Sequence, residues 1–478
     1  MLSEKKDKNT TLIKKLMVNF LNKIKYYGKK IAIIDHNNDK FTYTEIEKLT
    51  KIVCKQIKKK SLVFILSGNN LETIIFYLAA LENNCVIHFI DKNIEYLLLK
   101  NLIIEYKPNY IFSKNKIQNN NYKKELDFYN YSIFSQKKFL KLKVDKNLLI
   151  LLTTSGTTGT KKLVRQSYKN YKSNTKSIIK GLRIKKDYST ITTLPISYTF
   201  GLSIINTHLF VGSTIILNED SVLQKSFWDK YKKYLPKTIY GVPFTYELIS
   251  KIGLAKLFHG DLKFIAQAGG RLNEKTFIEI SKFSKKNKIN FFSMYGQTEG
   301  TARMSILDSK YSLSKVGSIG KPIEGGSFFL IDDNRKIIKN HNQVGELMYK
   351  GSNVCLGYAN SLSDLKKGDE NNKIINTGDL AKFDEEKFYF IVGRTKRFIK
   401  IFGNRISLDE VELMIEKMGH KAICKNIDDC LMINYIDKKL NKVEILKKLS
   451  KILKINPRFI NLNLIQEFKI NSSNKVLF

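Results

Sequence analysis

Apolar residues recur along the first part of the chain in two alternating rhythms. The short unbroken runs Lys30–Ile34 and Leu62–Leu66 have strand character, whereas Tyr43–Ile57 and Leu71–Glu82 place apolar residues at helical spacing. Alternation of this kind, with crossover connections, predicts a largely parallel sheet covered by helices. The rhythm resumes at Leu148–Leu152 and Lys169–Ile179, on either side of a glycine-containing loop. Near the N-terminus, Leu12, Ile13, Leu16, Met17, Phe20 and Ile24 form the stripe of a basic amphipathic helix, read as packing on its own domain. Contact of that helix with a membrane surface is the alternative reading. After Arg394 the pattern changes to short, charged segments almost free of glycine, with Leu408–Met418 and Lys442–Leu453 helix-like. This predicts a large domain over 1–394 and a small α+β lid over 395–478.

Composition narrows the classes. The chain has 478 residues, 43% of them hydrophobic, enough to build sizeable cores and to exclude global disorder or a fibrous repeat. Lys and Arg number 83 against 44 Asp and Glu, a net charge of +39. That excess is mostly lysine scattered along the whole chain, and it is read as compositional drift rather than as a nucleic-acid or polyanion site. Five cysteines with no CxxC pair fit a reducing compartment, and six histidines without ligand spacing argue against a zinc centre. The best apolar run, Thr73 to Leu81, is too short to span a bilayer, and the N-terminus lacks the apolar core of a signal peptide. The expectation is a soluble, cytoplasmic protein.

Glycine placement localises the chemistry. Of 26 glycines, 23 lie between Gly156 and Gly403, so tight turns and close backbone approaches are concentrated there. Four clusters fall in that band. The first, Thr153 to Lys162 (TTSGTTGTKK), combines six hydroxyls, two glycines and a lysine pair after a strand, the makings of a polyphosphate cradle. Its glycines are three apart, so it is not a Walker A loop. Next comes Ser293 to Gly300 (SMYGQTEG), with a tyrosine able to stack on a base and a carboxylate suited to magnesium. Third, Asn376 to Leu380 (NTGDL) holds an aspartate able to accept from ribose hydroxyls. Last, Gly393 to Ser407 carries five cationic residues at the inferred domain boundary. Taken singly, the third reads as an Asx turn and the fourth as a solvated basic hairpin.

In order and spacing the four together resemble the superfamily of AMP-forming adenylating enzymes: acyl-CoA synthetases, peptide-synthetase adenylation domains and luciferases. Weaker echoes are Phe41 to Glu45, Gly345-Glu346-Leu347 with Gly357-Tyr358, and Ser407 to Glu412. The resemblance covers nearly the whole chain. It implies a large N-terminal domain of helix-covered sheets with a small mobile C-terminal domain, and an ATP-dependent enzyme using magnesium.

The resemblance also implies roles. Thr154, Ser155, Gly156, Thr157, Thr158, Gly159 and Lys162 would hold the ATP phosphates. Gly269, Gly270, Tyr295 and Gly296 would line the adenine site, with Asp379 and Arg394 on the ribose. Thr298 would touch the α-phosphate and Glu299 would bind magnesium. Lys396 occupies the hinge position, Lys400 and Gly403 belong to the loop used in the thiol step, and Lys475 matches the catalytic lysine. Tyr198, Phe200 and Gly201 fall where the acyl pocket is lined.

Departures from the pattern are Lys161 in place of the loop proline, Leu163 in place of its second glycine, and Asn474 before the catalytic lysine. None deletes a reacting group.

The implied reaction is adenylation of a carboxylic acid with release of pyrophosphate, then transfer to the thiol of CoA or a carrier-protein phosphopantetheine. No aspartate lies between Leu194 and Gly201 to pair with an α-ammonium, which favours an acid without that amine over an amino acid. A luciferase-like oxidase shares the first half-reaction. A polyanion- or membrane-binding protein with a degenerate nucleotide site is the alternative from another class, and it would show steep salt dependence without needing ATP.

Overall fold

The computed structural model describes residues 25–153, 162–258, 260–395, 397–401, 404–427, 430–438, 440–453 and 455–468. The expected N-terminal helix lies outside them.

Two large sheets carry the N-terminal part. In the first, eight strands run in the order Gly357–Ala359, Leu163–Ser167, Leu148–Thr153, Val86–Asp91, Leu62–Ser67, Tyr110–Ser113, Tyr131–Gln136, Tyr122–Phe128. Its centre is parallel and its flanks are antiparallel. The central strand Leu62–Ser67 is buried at every position, as an unbroken apolar run requires when helices cover both faces. Helix Leu71–Glu82 packs over it and is buried almost all round. Asn70 caps it by accepting from the N–H of Thr73 at 3.0 Å. Helix Tyr43–Cys54 begins in a capping box between Thr42 and Glu45.

The second sheet has nine strands, parallel from Ile31–Ile34 through Thr214–Ile216, Ser189–Ile191, Thr238–Gly241 and Phe264–Gln267 to Asn290–Tyr295. Antiparallel strands close both edges. A third sheet of five strands, including Gly345–Gly351, Ile374–Phe383 and Tyr389–Arg394, is antiparallel throughout.

The largely parallel expectation therefore needs revision. The parallel interiors are as read, but the phosphate-type loop joins two antiparallel strands, with Thr153 paired to Leu163, and does not lead directly into a helix. The five-stranded sheet went unread because its strands alternate half-buried positions and are bounded by glycines, a pattern that looks like turns. Helix ends differ by a few residues: Tyr168–Leu182 replaces 169–179, and the helix opening at Tyr43 stops at Cys54.

After Arg394 come a hairpin, Phe398–Ile401 with Asn404–Ser407, and a sheet of Ala422–Ile427, Cys430–Tyr435 and Ile460–Leu464. Helices Leu408–Lys417 and Lys442–Leu453 pack on them. These elements share one apolar cluster drawn wholly from Ile399 to Leu462. Arg397 donates to Asp409, to Glu412 Oε1 at 2.7 Å and to the Cys424 carbonyl at 3.0 Å, tying the hairpin to its helix and sheet. Among the described residues no helix is long and apolar enough to cross a membrane.

Candidate active site

Strand Asn290–Tyr295 delivers the second sequence cluster to the end of the nine-stranded sheet, and a single 3₁₀ turn, Thr298–Gly300, follows it. Gly296 is required there by close approach: a Cβ would lie 1.8 Å from the Ala302 carbonyl oxygen. The turn ends in two consecutive non-glycine residues of positive φ, Thr301 at 49° and Ala302 at 85°. Such a pair costs on the order of 1–3 kcal/mol per residue and must be held by its surroundings. Asn353 does the holding. Its amide donates to the Gly300 carbonyl at 2.6 Å and the Arg303 carbonyl at 3.2 Å, and its own carbonyl accepts from Thr301 Oγ1 at 2.6 Å.

Two side-chain groups meet around this turn. On one side, Tyr295 donates its phenol to Asp379 Oδ2, and Arg394 Nε lies 3.2 Å from Asp379 Oδ1. Asp379 and Arg394 are directly opposed across strands Ile374–Phe383 and Tyr389–Arg394. The Asp379 carboxyl stands above its ordinary range because burial raises it more than Arg394 and Tyr295 lower it. On the other side, Tyr358 donates to Glu299 Oε1 at 2.9 Å, and Lys162 Nζ sits 4.3 Å over the Tyr358 ring. Thr298 is buried, and its carbonyl accepts from Gln166 Nε2 at 2.5 Å. The nucleotide-type clusters thus form one connected surface running from Arg394 through Asp379, Tyr295 and Glu299 to Lys162.

Gly269 and Gly270 follow strand Phe264–Gln267, where Gln267 Nε2 donates to the Gly270 carbonyl at 2.7 Å and Gln267 Oε1 accepts from Ser293 at 3.1 Å. They adjoin the same strand end. Gly201 lies in the first turn of helix Thr199–Val211, and a Cβ there would come within 2.2 Å of the Pro195 carbonyl. Its role is to let the 194–198 loop pack on that helix. Phe200 is buried and Tyr198 half-buried, their rings 6.2 Å apart.

Thr154, Ser155, Gly156, Thr157, Thr158, Gly159, Lys396, Gly403 and Lys475 lie outside the described residues, and of Lys400 only its place in strand Phe398–Ile401 is described.

Three residues without a role in the sequence reading organise the site. Tyr358 links Glu299 to Lys162. Arg165, fully buried, donates to the carbonyls of Tyr358 at 2.9 Å and Leu356 at 3.3 Å and pairs with Glu370, fastening the Tyr358 segment to strand Leu163–Ser167. The third is Arg303, also buried, which lies among Phe200, Tyr240 and Ser203. An arginine within a motif of hydroxyls and glycines offers no sequence signal of burial.

Such a surface on a large N-terminal α/β assembly with a small C-terminal unit is that of an adenylate-binding enzyme. Residues 20–359 match the family model described as AMP-binding enzyme, and the chain belongs to that family. It is 28% identical over 269 residues to the oxalate–CoA ligase of Saccharomyces cerevisiae, covering 56% of this chain and 48% of that one. To the 2-succinylbenzoate–CoA ligase of Oceanobacillus iheyensis it is 26% identical over 339 residues, or 69% and 68% of the two chains. The match thus spans about half of the first relative and about two thirds of the second. The fold is that of the o-succinylbenzoate–CoA synthetase of Bacillus subtilis in complex with ATP and magnesium, at a TM-score of 0.77 and 19% identity over 96% of this chain and 98% of that one.

Proposed function

We propose that this protein is an AMP-forming acid–thiol ligase acting in the cytoplasm. The observation that carries the reading is the connected surface from Arg394 and Asp379 through Tyr295 to Glu299, Tyr358 and Lys162. It offers a buried carboxylate for ribose hydroxyls, a second carboxylate, and a cation beside the phosphate-type loop.

The acid's carboxylate oxygen attacks the α-phosphorus of ATP, and the bond to the pyrophosphate oxygen breaks, giving an acyl adenylate. A thiol, from CoA or a phosphopantetheine arm, then attacks the acyl carbon, and AMP leaves. In the first step charge gathers on phosphoryl oxygens, where Lys162, the Thr154–Gly159 loop and Lys475 would stabilise it. Asp379 fixes the ribose and Tyr295 holds Asp379. The adenine would lie against Gly269, Gly270, Tyr295 and Gly296, and Thr298 would reach the α-phosphate. One carboxylate beside a phosphate cradle fits magnesium, which takes most of its ligands from substrate phosphates and water. Held by Glu299, the ion would supply Lewis-acid neutralisation of the phosphates. Tyr358 donates to one Glu299 oxygen, so the other would be the one to take the ion.

The two half-reactions assign the small unit after residue 394 two postures. Lys396 would act as the hinge, Lys475 would enter for adenylation, and Lys400 with Gly403 would enter for the thiol step. The acid is read as lacking an α-ammonium. No carboxylate lies between Leu194 and Gly201 to pair with an α-ammonium, and the buried cation Arg303 stands beside Phe200, where it would repel such an ammonium.

The test is pyrophosphate release over a library of carboxylic acids with ATP and magnesium. AMP and pyrophosphate as products support the reading, and ADP with phosphate overturns it.

A further inference from the structure

Arg303 is 1% exposed, and no carboxylate among the described residues pairs with it. Its Nε points at the Met294 sulfur at 3.2 Å, its Nη1 donates to Ser203, and its Nη2 has no partner. The guanidinium lies 4.3 Å from the centre of the Phe200 ring and 5.7 Å from that of Tyr240. Cation–π contact offsets only part of the cost of taking a charge out of water. Arg165, equally buried, shows the contrast: its nitrogens meet four carbonyls and a carboxylate.

Two further features around Arg303 suit an anion. Thr199 is buried with an unpartnered Oγ1, one helical turn before Ser203 and so on the face that Arg303 touches. Helix Thr199–Val211 has no side-chain cap at its N-terminus, so the positive end of its dipole is uncompensated there. A buried cation, a free hydroxyl and an uncapped helix start thus converge on the segment that the ligase reading gives to the acid.

We propose that Arg303 is the receptor for a second carboxylate on the substrate, which makes this protein a ligase for dicarboxylic acids. The inference rests on the ligase reading above. One carboxylate goes to the α-phosphorus, and the other pairs with the guanidinium, with Thr199 as an additional donor. Desolvation lowers the Arg303 pKa to about 10, so the group remains a cation at neutral pH and can serve in this way.

The experiment compares non-hydrolysable acyl-sulfamoyl adenosines in pairs: one built on a diacid of three to six carbons, the other on its methyl-terminated monoacid of equal length. Calorimetry gives their affinities for the wild type, R303M and R303K, with ATP measured in parallel. The expected result is tighter binding of at least one diacid analogue over its partner by about 10- to 100-fold, the range of a charge-assisted hydrogen-bonded pair. R303M should erase that ratio and R303K should keep part of it. R303M should also melt at or above the wild-type temperature without ligand, since it removes an unpaired buried charge at similar volume. Tight but equal binding of both partners in every pair, or a ratio unchanged in R303M, overturns the proposal and leaves the ligase reading standing. Analogues that bind no better than AMP overturn both.

Discussion

Asp379 and Arg394 face each other across a strand pair with Oδ1 and Nε 3.2 Å apart, yet the aspartate is buried and the arginine largely exposed. The carboxylate is therefore the fixed member, held in addition by the Tyr295 phenol, and the guanidinium is free to move onto a ligand. D379A should raise the KM for ATP by about 10- to 100-fold with a smaller effect on kcat, because it removes charge-assisted hydrogen bonds formed in the ground state. Initial-rate pyrophosphate assays over an ATP series measure both constants. A near-normal KM would show that the ribose lies elsewhere.

Glu299 and Tyr358 should act together on turnover. E299Q is expected to lower kcat by two or more powers of ten, since its effect grows with phosphoryl charge. Y358F, which only frees the carboxylate to rotate, should cost less and show it as a raised magnesium requirement. Titrating magnesium against the rate of pyrophosphate release separates the two. Identical magnesium curves for Y358F and wild type would deny Tyr358 its orienting role.

Separable half-reactions are a further expectation. K475A should lose adenylation by about two to three powers of ten, as removal of one preorganised donor does, yet still form thioester from supplied acyl adenylate. G403L should do the reverse, because a side chain there would crowd the path of the pantetheine arm. Pyrophosphate exchange and thioester formation, each measured on both variants, provide the check. Parallel loss of both activities in folded protein would rule out two postures.

Arg165 should prove structural. R165M takes away the guanidinium that meets the Tyr358 carbonyl and the Glu370 carboxylate, a loss of about 2–4 kcal/mol by chemical denaturation. A loss below 1 kcal/mol would mean that water replaces the guanidinium readily.

Stability should also depend on pH through two histidines. Burial lowers the pKa of His88 and of His208 from 6.5 to about 4, so both are neutral in the folded protein while unfolded histidine takes up a proton below 6.5. A depressed base favours the folded state above the unfolded pKa, and that stability is lost as pH falls towards 4. Between pH 7 and 5.5, where most carboxylates stay ionised, each should cost about 1 kcal/mol. Denaturation at the two pH values, repeated on H88Q, gives the slope. A slope unchanged by H88Q would place its proton uptake elsewhere.

The helix Leu71–Glu82 and the strand Leu62–Ser67 were legible because each is apolar along its length and bounded by polar residues. Thr298, Glu299 and Asp379 were legible as chemistry because hydroxyls, carboxylates and glycines crowd their motifs. Their arrangement was not: Tyr295 meets Asp379 across 84 residues, a contact between strands of two different sheets that has no local signature. Arg303 was opaque for a different reason. Its burial depends on an aromatic from helix Thr199–Val211 and another from strand Thr238–Gly241, and arginine in isolation reads as surface.

Because Thr153 pairs with Leu163, the nine residues between them leave and re-enter the sheet at neighbouring points. A segment tethered in this way can change length without moving either strand, since doubling it adds only about 0.6 kcal/mol of closure entropy. If this segment holds phosphate as proposed, insertion or deletion there would retune that grip at a cost felt in affinity and scarcely in folding.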